Sequence, residues 1–175
     1  AGQGLYQSIT PHGLGVDLMS FDSGKMYGPR GTGALYIRRG IKVSPVLRGG
    51  SQEEGLRPGT ENTALIAGFA AAFVEGSEKR SEESERLNSI RKSAIEKISE
   101  TLEGVVINGE GKQQSPHILN ISIPNIDAEY VAMYLDQRGV ALSTKSACLE
   151  RSDSEVSSVV KELGGEDWRA RNTLR

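Results

Sequence analysis

Two residues that lie far apart in the chain carry the side chains best suited to covalent chemistry, Lys25 and Cys148. Lys25 follows an apolar run at residues 16–20 and precedes a glycine- and proline-rich turn at residues 28–31. A lysine at a strand end beside a tight turn is well placed to hold a carbonyl cofactor as a Schiff base. The same spacing also fits a surface lysine in a hairpin, so both interpretations stay open at this point.

The glycine-rich turn bears on how Lys25 would react. An amine attacks a carbonyl only after losing its proton, and burial favours the neutral form. A turn of this kind could bury the Lys25 side chain and so supply that condition. Gly28, Gly31 and Gly33 would also let the backbone turn sharply or approach a flat cofactor.

Cys148 is the only cysteine, and it lies in a polar segment between a predicted strand and a predicted helix. The nearby cations Lys145 and Arg151 could favour its thiolate form. The sequence alone leaves a reactive and an incidental cysteine equally open. A cysteine protease fits poorly, because neither His12 nor His117 has a clear pairing with Cys148.

Thr60 ends the turn Arg57-Pro58-Gly59-Thr60 and precedes an apolar segment with helical spacing. We expect it to cap that helix. A hydroxyl and free N–H groups at a helix start also suit phosphate, to which Arg57 would add charge. An ordinary cap and a phosphate contact both remain possible here.

Composition narrows the class of protein. The 175 residues suffice for one domain or two small ones, and the net charge of -2 gives no case for binding nucleic acid or an anionic membrane. No apolar run approaches the roughly 18 residues of a membrane span. A single cysteine excludes an internal disulfide, and with two distant histidines it also makes a structural metal site improbable. A reducing, cytoplasmic location fits best.

The pattern of elements predicts an α/β fold. Residues 16–20 and 34–38 read as strands, and Leu65, Phe69 and Phe73 share a face of the helix after Thr60. The charged run at 78–86 reads as a solvated helix face or a hinge between domains.

The second half alternates short strands and helices. Strands are predicted at 105–107, 118–123 and 140–142. Asp127 should open a helix with Val131, Tyr134 and Leu135 inward. Ser152 and Glu155 form a capping box for a helix that carries Val156, Val159, Val160 and Leu163.

Taken together, four segments resemble the cysteine desulfurases, fold-type I pyridoxal-phosphate (PLP) enzymes of the class V aminotransferase group. They are the Lys25 segment, the 57–60 turn, the 146–148 loop and the end at 174–175, and they occur in the family's order. The resemblance covers essentially the whole chain. It implies the C-terminal part of the large PLP-binding domain at residues 1–78 and a small α/β domain with the cysteine loop at 79–175.

The resemblance also implies which residues would hold the cofactor. Lys25 matches the lysine that binds PLP, and Gln3 matches a glutamine that contacts the cofactor ring oxygen. Ser23 falls in the short segment that helps to bind the phosphate. Thr60 matches a threonine that reaches the phosphate of the neighbouring subunit, which implies a homodimer.

The chemistry implied by the resemblance converts cysteine to alanine. Arg175 matches the arginine that clamps the substrate carboxylate, a task suited to guanidinium. The amine of Lys25 moves protons between substrate carbons, and Cys148 takes the sulfur as a persulfide. The family passes this sulfur to acceptor proteins such as iron–sulfur scaffolds or tRNA-thiolation proteins.

Two features depart from the family pattern. The family usually has a serine at the position of Asp22 and a histidine at that of Gly24. A carboxylate beside a phosphate is unfavourable, so Asp22 either points away or alters the phosphate site. The family's other cofactor contacts would precede Ala1, so the 175 residues alone should bind PLP weakly and turn over little or not at all.

Two alternatives remain open beside a cysteine desulfurase. The first is a selenocysteine lyase or another class V aminotransferase-like enzyme, and Cys148 distinguishes them because simple transamination does not need it. The second is a non-catalytic remnant that serves as a dimerisation module.

Overall fold

The computed structural model describes residues 5–111, 114–144, 156–164 and 166–175. The chain divides into two compact units, Ala1–Glu83 and Ser84–Arg175, which are described separately below. Both units contain helices and strands, as expected of the α/β class. The division falls five residues after the domain boundary proposed from the sequence at 78/79.

The first unit is a β-hairpin with a long helix packed against it. In chain order its elements are α1 (Pro11–Leu14), β1 (Leu18–Asp22), a 3-10 turn (Ser23–Met26), β2 (Gly33–Ile37), a second 3-10 turn (Glu53–Gly55) and α2 (Thr63–Glu78). The strands are antiparallel, with Leu18 opposite Ile37 and Asp22 opposite Gly33. The predicted strands at 16–20 and 34–38 are thus present, shifted by one or two residues.

An apolar cluster joins the helix α2 to the hairpin and its turn. Leu5, Met26 and Phe69 are buried together. The ring of Phe73 meets those of Phe21 and Phe69 edge to face, each at a centroid distance of 6.4 Å. Edge-to-face pairs of this kind add about 1 kcal/mol each to the free energy gained by burial. The 3-10 turn is thereby fixed to α2 through Met26.

The second unit is a small three-stranded sheet with short helices. The helix α3 (Arg80–Thr101) leads into it, followed by β3 (Val106–Ile107), β4 (Ile121–Ser122), α4 (Ala128–Asp136), α5 (Ser158–Glu162), α6 (Asp167–Arg171) and β5 (Thr173–Leu174). The strands are antiparallel in the order β3-β4-β5. The chain end therefore pairs with the middle strand of the sheet.

A buried polar network holds this sheet together. Asn108 is only 6% exposed, and its Nδ2 donates to Ser122 Oγ over 2.7 Å and to Asn120 Oδ1 over 2.6 Å. Its Oδ1 accepts from Arg169 Nη2 over 2.7 Å. Thr173 on β5 donates to Asn120 Oδ1 over 2.9 Å. Because each of these groups has exchanged water for a protein partner, removing one of them leaves the others unsatisfied.

Several predicted helix starts need correction. The cap of α2 is Asn62, whose Oδ1 accepts from Leu65 N over 3.2 Å, so the prediction that Thr60 caps this helix is wrong. Asp127 does cap α4, accepting from two backbone N–H groups. The helix α5 begins at Ser158 with Ser157 as its cap, and Val156 precedes it. Ser152 and Glu155 lie outside the described residues.

Two further predictions in the second unit are wrong. Residues 140–142 are not a strand. Instead Ser143 exchanges two backbone hydrogen bonds with Arg175, at 3.0 and 2.8 Å. Tyr134 does not point inward, because it is 45% exposed and its ring stacks under the guanidinium of Arg138 at 3.6 Å. Among the described residues, no helix is long and apolar enough to cross a membrane.

The buried network predicts that Asn108→Ala lowers the free energy of unfolding by about 2 kcal/mol, because Ser122, Asn120 and Arg169 each lose a partner. The matched control is Asn88→Ala on the exposed side of α3, which should change stability by less than about 0.5 kcal/mol. Urea unfolding of both variants gives the comparison. Equal effects of the two substitutions would show that the network does not stabilise the sheet.

Candidate functional site

Lys25 lies in the 3-10 turn Ser23–Met26, which follows β1 and packs against α2 through Met26. The backbone fixes this turn at both ends, because Ser23 N–H donates to Thr32 O over 3.1 Å and Gly28 N–H donates to Ser23 O over 3.0 Å. Tyr27 closes the turn in the left-handed conformation, φ 59°, with its N–H also directed to Ser23 O. A non-glycine residue in this region costs roughly 1 kcal/mol, so the surrounding contacts must hold it there.

The Lys25 side chain itself is exposed. The sequence suggested that the glycine-rich turn could bury it. The turn instead buries its neighbours Ser23 and Met26 and directs the lysine outward. The three-residue period of a 3-10 turn explains this, because Ser23 and Met26 share its buried face and Lys25 lies on another face.

Asp22 and Ser23 precede the lysine and have separate roles in the turn. Asp22 Oδ1 accepts from Gly24 N–H over 2.8 Å, which is the start cap of the turn. Ser23 is fully buried, and its hydroxyl has no hydrogen-bond partner among the described residues. The hydroxyl sits beneath Gly28, so reaching a cofactor phosphate would require the turn to rearrange.

The 57–60 turn, which contains Thr60, lies in the same unit. Gly59 has φ 105°, a conformation that side chains rarely adopt, and its N–H points to Gln52 Oε1 at 3.4 Å. Arg57 hydrogen-bonds to the carbonyl of Pro58. Thr60 is exposed and lies outside the helix, which leaves its hydroxyl free of the capping role predicted for it.

Arg175 follows β5 in the second unit, where its backbone is paired with Ser143. It lines a cavity of about 370 Å³ that also includes Arg91, Ser143 and Thr144. Arg91 Nε donates to Ile118 O over 3.2 Å, and its guanidinium also bonds to Gln114. Two arginines and several residues with hydroxyl groups line this cavity, together with apolar residues such as Val159 and Leu163. Arginine is the residue that best recognises a carboxylate, so an anionic group is a reasonable ligand.

The structure thus brings together only some of the predicted site residues. Lys25 and Ser23 share one turn, and Arg175 lines a cavity of the second unit. Gln3 and Cys148 lie outside the described residues. Sequence reasoning missed Arg91, because 84 positions separate it from Arg175 and no local pattern links them.

The residues present fit part of a PLP site. The Lys25 amine is accessible to a cofactor, because it is exposed on a turn whose backbone is fixed by hydrogen bonds. The burial that was expected to favour its neutral form is not provided by this turn. The Asp22 carboxylate accepts a hydrogen bond from Gly24 N–H, so one of its oxygens is held by the backbone of the turn. The phosphate contacts are less complete, since the Ser23 hydroxyl faces inward.

Comparison with known proteins identifies the family. The model of the class-V aminotransferases matches residues 5–163, so the chain belongs to that family, whose cysteine desulfurase members are PLP-dependent. It is 41% identical over 150 residues to cysteine desulfurase IscS of Dictyoglomus turgidum, covering 86% of this chain and 38% of that protein. It is 37% identical over 162 residues to the cysteine desulfurase of Rattus norvegicus, covering 91% and 35%.

Solved structures agree on the fold. A NifS-like protein superposes with a TM-score of 0.81 at 28% identity, covering 97% of this chain and 43% of that one. A protein named SspA, solved in complex with cysteine, gives a TM-score of 0.69 at 28% identity and covers 100% and 48%. The chain spans about two fifths of the length of the curated relatives it matches.

The packing of the lysine turn predicts a coupled pair of substitutions. A Cβ on Gly28 would lie 2.3 Å from Ser23 Oγ and 3.3 Å from the Cβ of Ala72. Gly28→Ala should therefore lower the free energy of unfolding by about 2 kcal/mol. Ser23→Ala should be close to neutral, because it removes a buried hydroxyl without a partner.

In the double variant the clash with the hydroxyl is gone, so we expect at least half of the loss to be recovered. Thermal unfolding of the four proteins measures this coupling. Additive effects of the two substitutions would contradict the placement of the Ser23 hydroxyl beneath Gly28.

Proposed function

We propose that the protein to which this chain contributes is a PLP-dependent cysteine desulfurase that converts cysteine to alanine and captures the sulfur on Cys148. The observation that supports this most is the presentation of Lys25 on a backbone-fixed turn within a chain of the class-V aminotransferase family. Relatives at 34–41% identity are named cysteine desulfurases. Because the chain spans about two fifths of their length, the activity belongs to a larger assembly than these residues alone.

Four residues would hold the cofactor under this proposal. Lys25 supplies the amine for covalent attachment, Gln3 contacts the ring oxygen, Ser23 belongs to the phosphate segment, and Thr60 reaches the phosphate across a homodimer interface. When bound, PLP withdraws electrons from the substrate's α-carbon and so makes proton removal there feasible. The exposed hydroxyl of Thr60, which no helix uses as a cap, is compatible with a contact to a second subunit.

The remaining steps of the reaction would be carried out by residues of this chain. Lys25 takes a proton from one substrate carbon and delivers one to another, as a general base and then a general acid. Arg175 binds the substrate carboxylate. The Cys148 thiolate attacks the substrate sulfur, so the S–S bond forms as the substrate's C–S bond breaks, and alanine leaves after protonation. The persulfide on Cys148 would pass its outer sulfur to an acceptor protein such as an iron–sulfur scaffold.

A cytoplasmic location belongs to the same proposal. Cys148 is the only cysteine and must remain a free thiol between turnovers. A reducing compartment maintains that state.

The roles of Lys25 and Cys148 are tested by cysteine-dependent release of alanine and sulfide from the polypeptide that carries this sequence in its host, supplied with PLP and with a thiol reductant that converts the outer persulfide sulfur to sulfide. Lys25→Ala should abolish both products, and Cys148→Ala should reduce sulfur transfer at least 100-fold, in line with the loss of a nucleophile. The controls are Lys42→Ala, another exposed lysine, and Ser146→Ala, two positions before Cys148 in the sequence. Unchanged sulfur release in Cys148→Ala would refute a desulfurase that works through this thiol.

The role of Arg175 has a matched comparison in Arg171. Arg171 precedes β5 in the chain and lines a different cavity with Asp127 and Glu129. Arg175→Ala should raise the KM for cysteine roughly tenfold or more through the loss of a charge-assisted contact, with a smaller effect on kcat. Arg171→Ala should alter the KM much less. The reverse order of effects would move the carboxylate site from Arg175 to Arg171.

A further inference from the structure

The turn that carries Lys25 is closed at its start by a side chain rather than by the backbone alone. Asp22 has an extended backbone, φ -109° and ψ 120°, and its Oδ1 accepts from Gly24 N–H over 2.8 Å. The first N–H groups of any helical turn lack a partner within the turn, and a short acidic side chain satisfies one of them. Asp22 therefore supplies the contact that begins the lysine turn.

Gly24 leaves the room that this contact needs. A Cβ at this position would lie 3.3 Å from Asp22 Oδ1 and 3.5 Å from the Cγ of Arg30. Gly24 is not among the residues with positive φ, so the backbone conformation alone does not demand glycine. The missing side chain instead keeps the space between the carboxylate and the Arg30 stem clear. Asp22 and Gly24 are therefore coupled, because a side chain at position 24 would occupy the space beside the Asp22 carboxylate.

The end of the turn is held independently. The N–H groups of Tyr27 and Gly28 both point to the carbonyl of Ser23, and Met26 is buried in the apolar cluster. Ser23 N–H also ties the first residue of the turn to Thr32 O over 3.1 Å. Loss of the Asp22 contact would therefore release the backbone between Ser23 and Met26 while Ser23 and the end of the turn remained fixed. Lys25 lies between these two ends, so its backbone would respond first.

We propose that Asp22 is a positioning residue for Lys25, and that with Gly24 it forms a cap that fixes the backbone from which the amine projects. The functional meaning of a fixed Lys25 rests on the proposed function, whereas the ordering of the turn by Asp22 does not.

The ordering is tested by the 15N relaxation order parameter of the Lys25 amide in the full chain and its variants. Asp22→Asn keeps the accepting oxygen and removes the charge, whereas Asp22→Ala removes both. We expect values near 0.85, typical of rigid backbone, in the unchanged chain and in Asp22→Asn, and a value below about 0.7 in Asp22→Ala. The control Asp136→Ala, at the end of α4, should leave the Lys25 value unchanged.

Two results would refute the proposal that the Asp22 hydrogen bond orders the lysine turn. An unchanged order parameter in Asp22→Ala would show that the contact does not hold the turn. An equal loss in Asp22→Asn would show that charge, rather than the hydrogen bond, is responsible.

As a further check, Gly24→Ala should lower the unfolding temperature more when Asp22 is present than in the Asp22→Ala background, because only then does the new Cβ meet the carboxylate. Equal shifts in the two backgrounds would overturn the coupling.

The positioning role is tested on sulfur release by the polypeptide that carries this sequence. Asp22→Ala should lower kcat roughly fivefold, the factor that a lost cap implies, with little change in KM because Asp22 does not touch the substrate. Asp22→Asn should restore at least half of the rate. A disordered turn with an unchanged kcat would overturn the positioning role. Absence of any sulfur release in the unchanged protein would count against the proposed function, and the order parameter would still decide the inference.

Discussion

The attachment of the lysine turn to α2 is the contact on which the first unit depends. Met26 is 2% exposed and packs with Leu5 and Phe69, while Phe73 bridges the helix to Phe21 on β1. An isolated two-stranded hairpin is marginally stable, so β1 and β2 need this helix to keep their register. Ser23 and Met26 lie three residues apart in the 3-10 turn and share its buried face, whereas Lys25 between them is exposed. The position of the Lys25 amine therefore follows from the burial of these two residues.

Local signals in the sequence were sufficient for the elements that depend on near neighbours. The hairpin, α2 and the start of α4 at Asp127 follow from alternation, helical spacing and a single capping carboxylate. The cap of α2 was misplaced because Thr60 and Asn62 are both good capping residues only two positions apart. The left-handed Gly59 turns the chain just before Thr60, and the helix begins only after Asn62.

Contacts between distant residues could not be predicted in this way. The pairing of Ser143 with Arg175 and the network around Asn108 join positions that are 32 and 65 residues apart. Nothing in the local pattern at 140–142 distinguishes a strand from the segment without regular secondary structure that is present. The cavity that Arg175 and Arg91 line also brings distant positions together, and no local pattern predicts it. The resemblance supplied Arg175 as a candidate, but only the folded unit shows which groups surround it.

The surface of the first unit accords with a role within a larger protein. Ile66, Phe73 and Val74 on α2 and Leu18 and Leu35 on the hairpin are exposed apolar side chains. A helix that is apolar on most of its faces is normally covered on more than one side. The chain spans about two fifths of the length of its relatives, and the activity proposed for it would require the remaining part of the site.

The central claim is that Lys25 is the residue to which the cofactor attaches. The direct measurement is to incubate the polypeptide with PLP, reduce it with borohydride and locate the stable adduct by mass spectrometry of peptides. At substoichiometric PLP we expect the adduct on Lys25, before any other lysine is modified. An adduct distributed over the exposed lysines, with Lys25 modified no faster than Lys42, would contradict it.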